Sequence, residues 1–275
     1  MLRVTNTEVF GWEAAIRGMR NPKNSWAKSD SGRINCDFIP CKECPAYDTD
    51  FCSSRPIDDF LVGPNDLKLM KQLIAAGSDH SKYMRMIHVQ CDWEAPLYWW
   101  KEADTYKVAT VRNSCSTMNK ITDKEFTLDD FAHEHLIGID DYPQDMVYSG
   151  KYPFVDVTPY QDRGVIYSPL GVLNITISML NECRMKYLTA LKTEEETVLS
   201  AKDLWWQLIQ LLPSSYLQKA TMDLNYATLR NMYHSRKAHK QDEWREDFCN
   251  WVKTLPYSEL ITMTREELLE SIKES

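Results

Sequence analysis

The chain has 275 residues with 32 Lys and Arg against 40 Asp and Glu, a net charge of −8. That length accommodates one large domain with an insertion, and the acidic balance argues against a protein built to grip duplex nucleic acid through its phosphates. No apolar run reaches the length of a membrane span and the opening MLRVTNTEVF lacks a secretory apolar core, so a soluble, cytoplasmic protein without a membrane partner is expected. Glycine is scarce at 9 residues, and neither GxGxxG nor GxxxxGK[S/T] occurs, which excludes Rossmann and P-loop nucleotide cradles. Trp (9) and Tyr (14) are plentiful and suit both cores and pockets for flat ligands.

In chain order, residues 30–64 are rich in turn formers and cysteine and poor in periodic apolar pattern, so they read as an insertion in a domain formed by 1–29 and 65–275. NDLKLMKQLIAAG then predicts a helix with Asn65 as N-cap, Leu67, Met70, Leu73 and Ile74 on one face, and Gly77 closing it. Alternation from Tyr83 to Trp93 predicts a strand. Pro96 opens a predicted helix over PLYWWKEADTYKVATV. Residues 126–164 are mixed and loop-rich.

The C-terminal third reads as helical: SPLGVLNITISMLNECRMKYLTALKT, then a region from Asp203 to Lys237 broken at Pro213, then QDEWREDFCNWVKTL with Phe248, Trp251 and Val252 inward. Thr264 and Glu267 form a capping-box signature before the last helix. The fold class expected is α/β (α+β), dominated by helix.

Cys36, Cys41, Cys44 and Cys52 follow the pattern C-x4-C-x2-C-x7-C. Four thiolates suit tetrahedral zinc at about 2.3 Å, and zinc binding would order a segment with few apolar residues. An iron–sulfur cluster uses the same ligands, and Cys44-Pro45 resembles the Cys-Pro step of some cluster runs. Colour separates the two.

His133 and His135 flank Glu134 at a spacing unsuited to the i, i+4 pair of a zinc protease, and read as surface or packing residues. Ser114, Cys115, Ser116 and Thr117 lie in NSCSTMNK with no G-x-S-x-G elbow; such a hydroxyl cluster caps an element or holds a phosphate. His234, Arg236, Lys237, His239 and Lys240 read as the cationic end of a helix. Arg230, one turn before His234 and near Asn225 and Asn231, brings guanidinium, imidazole and amide groups together as a nucleotide pocket would need.

Several motifs in order resemble the flavin-dependent thymidylate synthases (the ThyX family). Leu212-Pro213, Leu229-Arg230, His234, Arg236 and Gln241-x-Glu243-x-Arg245 resemble that family's C-terminal signature; His80-Ser81, the strand, Pro96 and Asn113-Ser114-Cys115-Ser116 resemble its central block. The similarity spans roughly residues 65–120 and 200–250. Where the family has Arg-His-Arg this chain has Thr105-Tyr106-Lys107, Glu102 replaces a Gln, and Lys120 is the cation nearest the nucleotide loop. An ammonium in place of a guanidinium fork forfeits bidentate anion recognition.

The resemblance implies a ThyX-like sheet with long helices, assembled as a homotetramer, and a site for a pyrimidine nucleotide such as dUMP with FAD and a folate. It assigns Arg230 the catalytic position on the pyrimidine, Ser114 and Ser116 the phosphate, and His80, Lys107 and His234 the flavin. The eroded Arg-His-Arg motif leaves two readings: a divergent thymidylate-synthase-like enzyme, or a non-catalytic homo-oligomeric binder of nucleotide or protein.

Overall fold

The computed structural model describes residues 1–35, 58–141, 168–192 and 199–274. It is an α/β protein whose main sheet has four strands in the order β1 (Arg3–Phe10), β4 (His88–Pro96), β6 (Leu217–Asn225), β5 (Val111–Ser114). A second sheet pairs β2 (Gly32–Asn35) with β3 (Asp58–Leu61), antiparallel, with Gly32 opposite Leu61 and Asn35 opposite Asp58. This short stem brackets residues 36–57, where the four clustered cysteines lie, outside the described residues. Among the described residues no helix is long and apolar enough to cross a membrane.

The chain divides into two compact units. The first comprises residues 1–3, 94–105 and 114–220, and contains α3 (Leu97–Ala103), α4 (Thr117–Lys120), α5 (Pro169–Ala190) and α6 (Ala201–Leu211). Its core joins Ile121, Phe126 and Phe131 to Leu173, Ile177 and Leu180 of α5 and Leu208 of α6. Ser168 starts α5 by accepting from the Gly171 N–H at 2.9 Å, and Pro169 supplies the first helical position. Asn181 fastens the preceding loop: its Oδ1 accepts from Phe126 N–H, and its Nδ2 donates to the Phe126 carbonyl, both at 2.8 Å. Ser200 and Asp203 close a capping box at the start of α6.

The second unit comprises residues 4–93, 106–113 and 221–275. It contains α1 (Trp12–Arg20), α2 (Pro64–Ala76), α7 (Tyr226–Arg236), a π-helical turn (Glu243–Phe248) running into α8 (Cys249–Lys253), α9 (Glu259–Thr262) and α10 (Arg265–Glu274). Val89, Cys91 and Trp93 alternate inward along β4, and Trp93 meets Phe248 and Trp251 edge-on at 6.1 and 5.7 Å. Gly11 is at φ 94°, where a Cβ would lie 2.0 Å from the Met86 carbonyl oxygen, so only glycine fits this entry into α1.

Several sequence expectations need correction. Lys82–Met86 is a 3-10 turn, and the strand starts only at His88, six residues before the chain passes into the first unit. Pro96 is the N-cap of α3 and not its first residue; α3 ends at Ala103, and Val111, the last residue of the expected helix, begins β5. The region after Pro213 is β6, in which Ala220, Met222 and Leu224 are buried at a period of two. Asn65 does not cap α2: Gly63 holds that position and the Asp30 carboxylate accepts from the N–H groups of Asn65 and Asp66. Gly77 does close α2, and the Thr264–Glu267 capping box forms, with Glu267 Oε2 accepting from Thr264 N–H at 2.7 Å.

Candidate functional site

Helix α7 grows directly out of β6. Asn225, almost wholly buried, accepts from the Thr228 N–H at 2.9 Å and so caps the helix. From that start Arg230 and His234 fall four residues apart, on one face. Arg230 donates from Nη1 to the carbonyls of Leu260 and Ile261 at 3.0 and 3.2 Å, which satisfies acceptors of the short helix α9. Its Nε and Nη2 make no hydrogen bond among the described residues. One edge of the guanidinium is thus an anchor.

Burial lowers the Arg230 pKa, opposed by nearby Tyr83, and raises that of Tyr83, opposed by Arg230. The Tyr83 hydroxyl is itself fixed, donating to the Met70 carbonyl at 3.0 Å. Burial, then the Arg230 and Lys237 cations, hold the His234 imidazole below its ordinary range. His234 is therefore poised neutral.

Two segments distant in sequence meet at Thr228 and Arg236 of α7, turned away from the Arg230–His234 face, within the second unit. Arg236 donates from Nε to the Tyr106 hydroxyl at 2.8 Å, and its guanidinium carbon lies 5.3 Å from the Tyr106 ring centre and 5.2 Å from that of Trp244. Thr228 Oγ1 donates to the Val108 carbonyl at 3.3 Å. Buried polar atoms without a hydrogen-bond partner are uncommon in native proteins. Thr110 Oγ1, His234 Nε2 and Gln241 Oε1 are among those in this unit.

The expected site residues divide between the units. Arg230, His234, Lys107 and His80 belong to the second, and Ser114 and Ser116 to the first. Lys107 is exposed next to Tyr106, and His80 is exposed in the turn after α2. Ser114 ends β5, and Ser116 caps α4 by accepting from Asn119 N–H at 3.3 Å; both are exposed. Among the described residues no group of three or more His, Cys, Asp or Glu can hold a metal ion. Cys91 and Cys249 are buried, and burial pushes the Cys91 thiol up to about 12.

Sequence reasoning missed Tyr106 and Trp244 as partners of Arg236, and Thr110 and Gln241 as half-buried residues whose side-chain oxygens lack a hydrogen-bond partner. Tyr106 stood out only as a departure from the Arg-His-Arg pattern. The usable signal was aromatic residues flanking a basic run, the composition of a cation–π cluster.

No family model matches the chain, and no curated relative does. The fold is similar to the flavin-dependent thymidylate synthase ThyX of Helicobacter pylori, solved in complex with FAD and dUMP. The TM-score is 0.52 at 13% identity, covering 94% of this chain and 96% of that one. A second structure of the Helicobacter pylori protein with FAD and dUMP gives a TM-score of 0.52 at 11% identity, covering 100% of both chains. At these identities the likeness establishes a ThyX-like fold.

Proposed function

We propose that this chain binds a pyrimidine nucleotide such as dUMP on the Arg230–His234 face of α7, with FAD as cofactor. The observation that carries the reading is the Arg230 guanidinium, anchored through Nη1 by the Leu260 and Ile261 carbonyls and without a hydrogen bond at Nε and Nη2 among the described residues, one turn from the buried His234 Nε2. A pyrimidine offers carbonyl oxygens, and an anchored guanidinium complements them as a donor. The ThyX structures of similar fold hold FAD and dUMP, which supports the same ligand pair here.

On this reading Arg230 orients the pyrimidine, His234 and Lys107 contribute to the flavin side with His80, and Ser114 and Ser116 serve the phosphate. Bound flavin supplies hydride chemistry; the chain supplies orientation and electrostatics. The folate and the homotetramer implied by the family resemblance belong to this same proposal. The cysteines 36, 41, 44 and 52 are proposed as a separate zinc site. Metal analysis should then give one zinc per chain, whereas a brown, iron-containing protein would assign an iron–sulfur cluster instead.

A specific observation favours the non-catalytic reading as the second choice. Thr105-Tyr106-Lys107 offers one exposed ammonium where the family has two arginines, and Tyr106 is engaged with Arg236. Such a site keeps nucleotide recognition but grips flavin phosphate weakly. The absorption spectrum of the full chain incubated with FAD and washed decides between them: a retained yellow flavin band supports the enzyme, and a colourless protein that still binds dUMP supports the binder. A colourless protein that binds neither ligand would overturn both.

A further inference from the structure

We infer that the second unit carries another binding site, independent of the α7 face: an open cleft beside the loop after α1 that takes a polyanionic phosphate group. The cleft measures about 690 Å³, and its lining includes Arg20, Lys23, Ser25, Lys28, Asp30 and Asn65. That volume falls in the range of about 300–1,000 Å³ usual for small-molecule sites.

The floor is fixed by a buried ion pair. Arg20, 4% exposed, donates from Nε to Asp66 Oδ1 at 2.6 Å, from Nη1 to the Ser25 carbonyl at 3.1 Å and from Nη2 to the Lys28 carbonyl at 2.9 Å. Asp66, fully buried, also accepts from the Ser29 and Ser31 hydroxyls, each at 2.6 Å. The loop that carries Lys23 and Lys28 is thereby stapled to the start of α2 from both sides.

Both nearby carboxylates are engaged in that scaffold. Asp66 is committed to Arg20 and the serines, and the Asp30 oxygens accept from the backbone N–H groups of Asn65 and Asp66 at 2.8 and 3.1 Å. Lys23 and Lys28 are exposed and have no ion-pair partner among the described residues. Two unneutralised ammonium groups on a rigid rim attract a polyanionic group, against the net charge of −8 of the whole chain.

The test is calorimetric titration of the full chain with inorganic pyrophosphate at low salt. Pyrophosphate should bind, and the Lys23→Glu/Lys28→Glu variant, altered only at exposed side chains, should bind it at least about tenfold more weakly. Absence of pyrophosphate binding to the unaltered chain, or equal affinity in the double-lysine variant, would overturn the site.

Discussion

His234 and Asp66 are ionisable side chains whose surroundings favour one protonation state, and each ties stability to pH with a definite sign. Burial and neighbouring cations lower the His234 pKa in the folded chain, so the unfolded chain binds the proton more readily. The stability this contributes is fully present above the ordinary histidine value of about 6.5 and is lost as pH falls through it toward the folded value. Urea unfolding of His234→Gln should therefore lose less stability between neutral and mildly acidic pH than the unaltered chain does. Asp66 pays a desolvation cost that raises its pKa, but hydrogen bonds from Ser29, Ser31 and Arg20 outweigh it and the net shift is downward. Its contribution is present above the ordinary aspartate value and lost as pH falls through the depressed one. Asp66→Ala strands the Arg20 guanidinium in a buried setting and should cost about 3–5 kcal/mol in denaturant titrations.

Among the elements, α5 illustrates how a loop is held by a helix. The Asn181 side chain satisfies both backbone groups of Phe126, and Phe126 is 4% exposed. Asn181→Ala should remove about 1–3 kcal/mol, because two backbone groups lose their partner at once; Asn181→Asp keeps the acceptor but not the donor and should recover part of it. Leu180, with no exposure, stands in the same core, and Leu180→Ala should cost about 2–5 kcal/mol. The capping box at Thr264 and the glycine stop at Gly77 were readable in the sequence, because those signals depend only on local side-chain-to-backbone chemistry. Strand β6 was not. Its Ala220, Met222 and Leu224 alternate, but the run is short and flanked by strong helical patterns, and only pairing within the sheet converts it to a strand. The 3-10 turn before β4 was hidden similarly, since Tyr83 and Ile87 keep the parity of the strand that follows.

For the molecule as a whole, the α/β class was legible because periodic apolar patterns were long in α2, α5 and α6, and the family resemblance anticipated the fold that the ThyX structures share. The candidate site was legible only in part. Arg230 and His234 declared themselves by i, i+4 spacing, whereas the Tyr106–Arg236–Trp244 cluster joins residues up to 138 positions apart and depends on the tertiary fold. The π-helical turn that carries Trp244 has no simple sequence signature either. The central claim is that Arg230 on α7 reads a pyrimidine nucleotide. Calorimetric titration of the full chain with dUMP, beside Arg230→Ala, tests it most directly. The account predicts saturable dUMP binding that weakens at least about tenfold in the variant, a loss of about 1.4 kcal/mol or more. Equal dUMP affinity in the two proteins, or no binding to either, would contradict it.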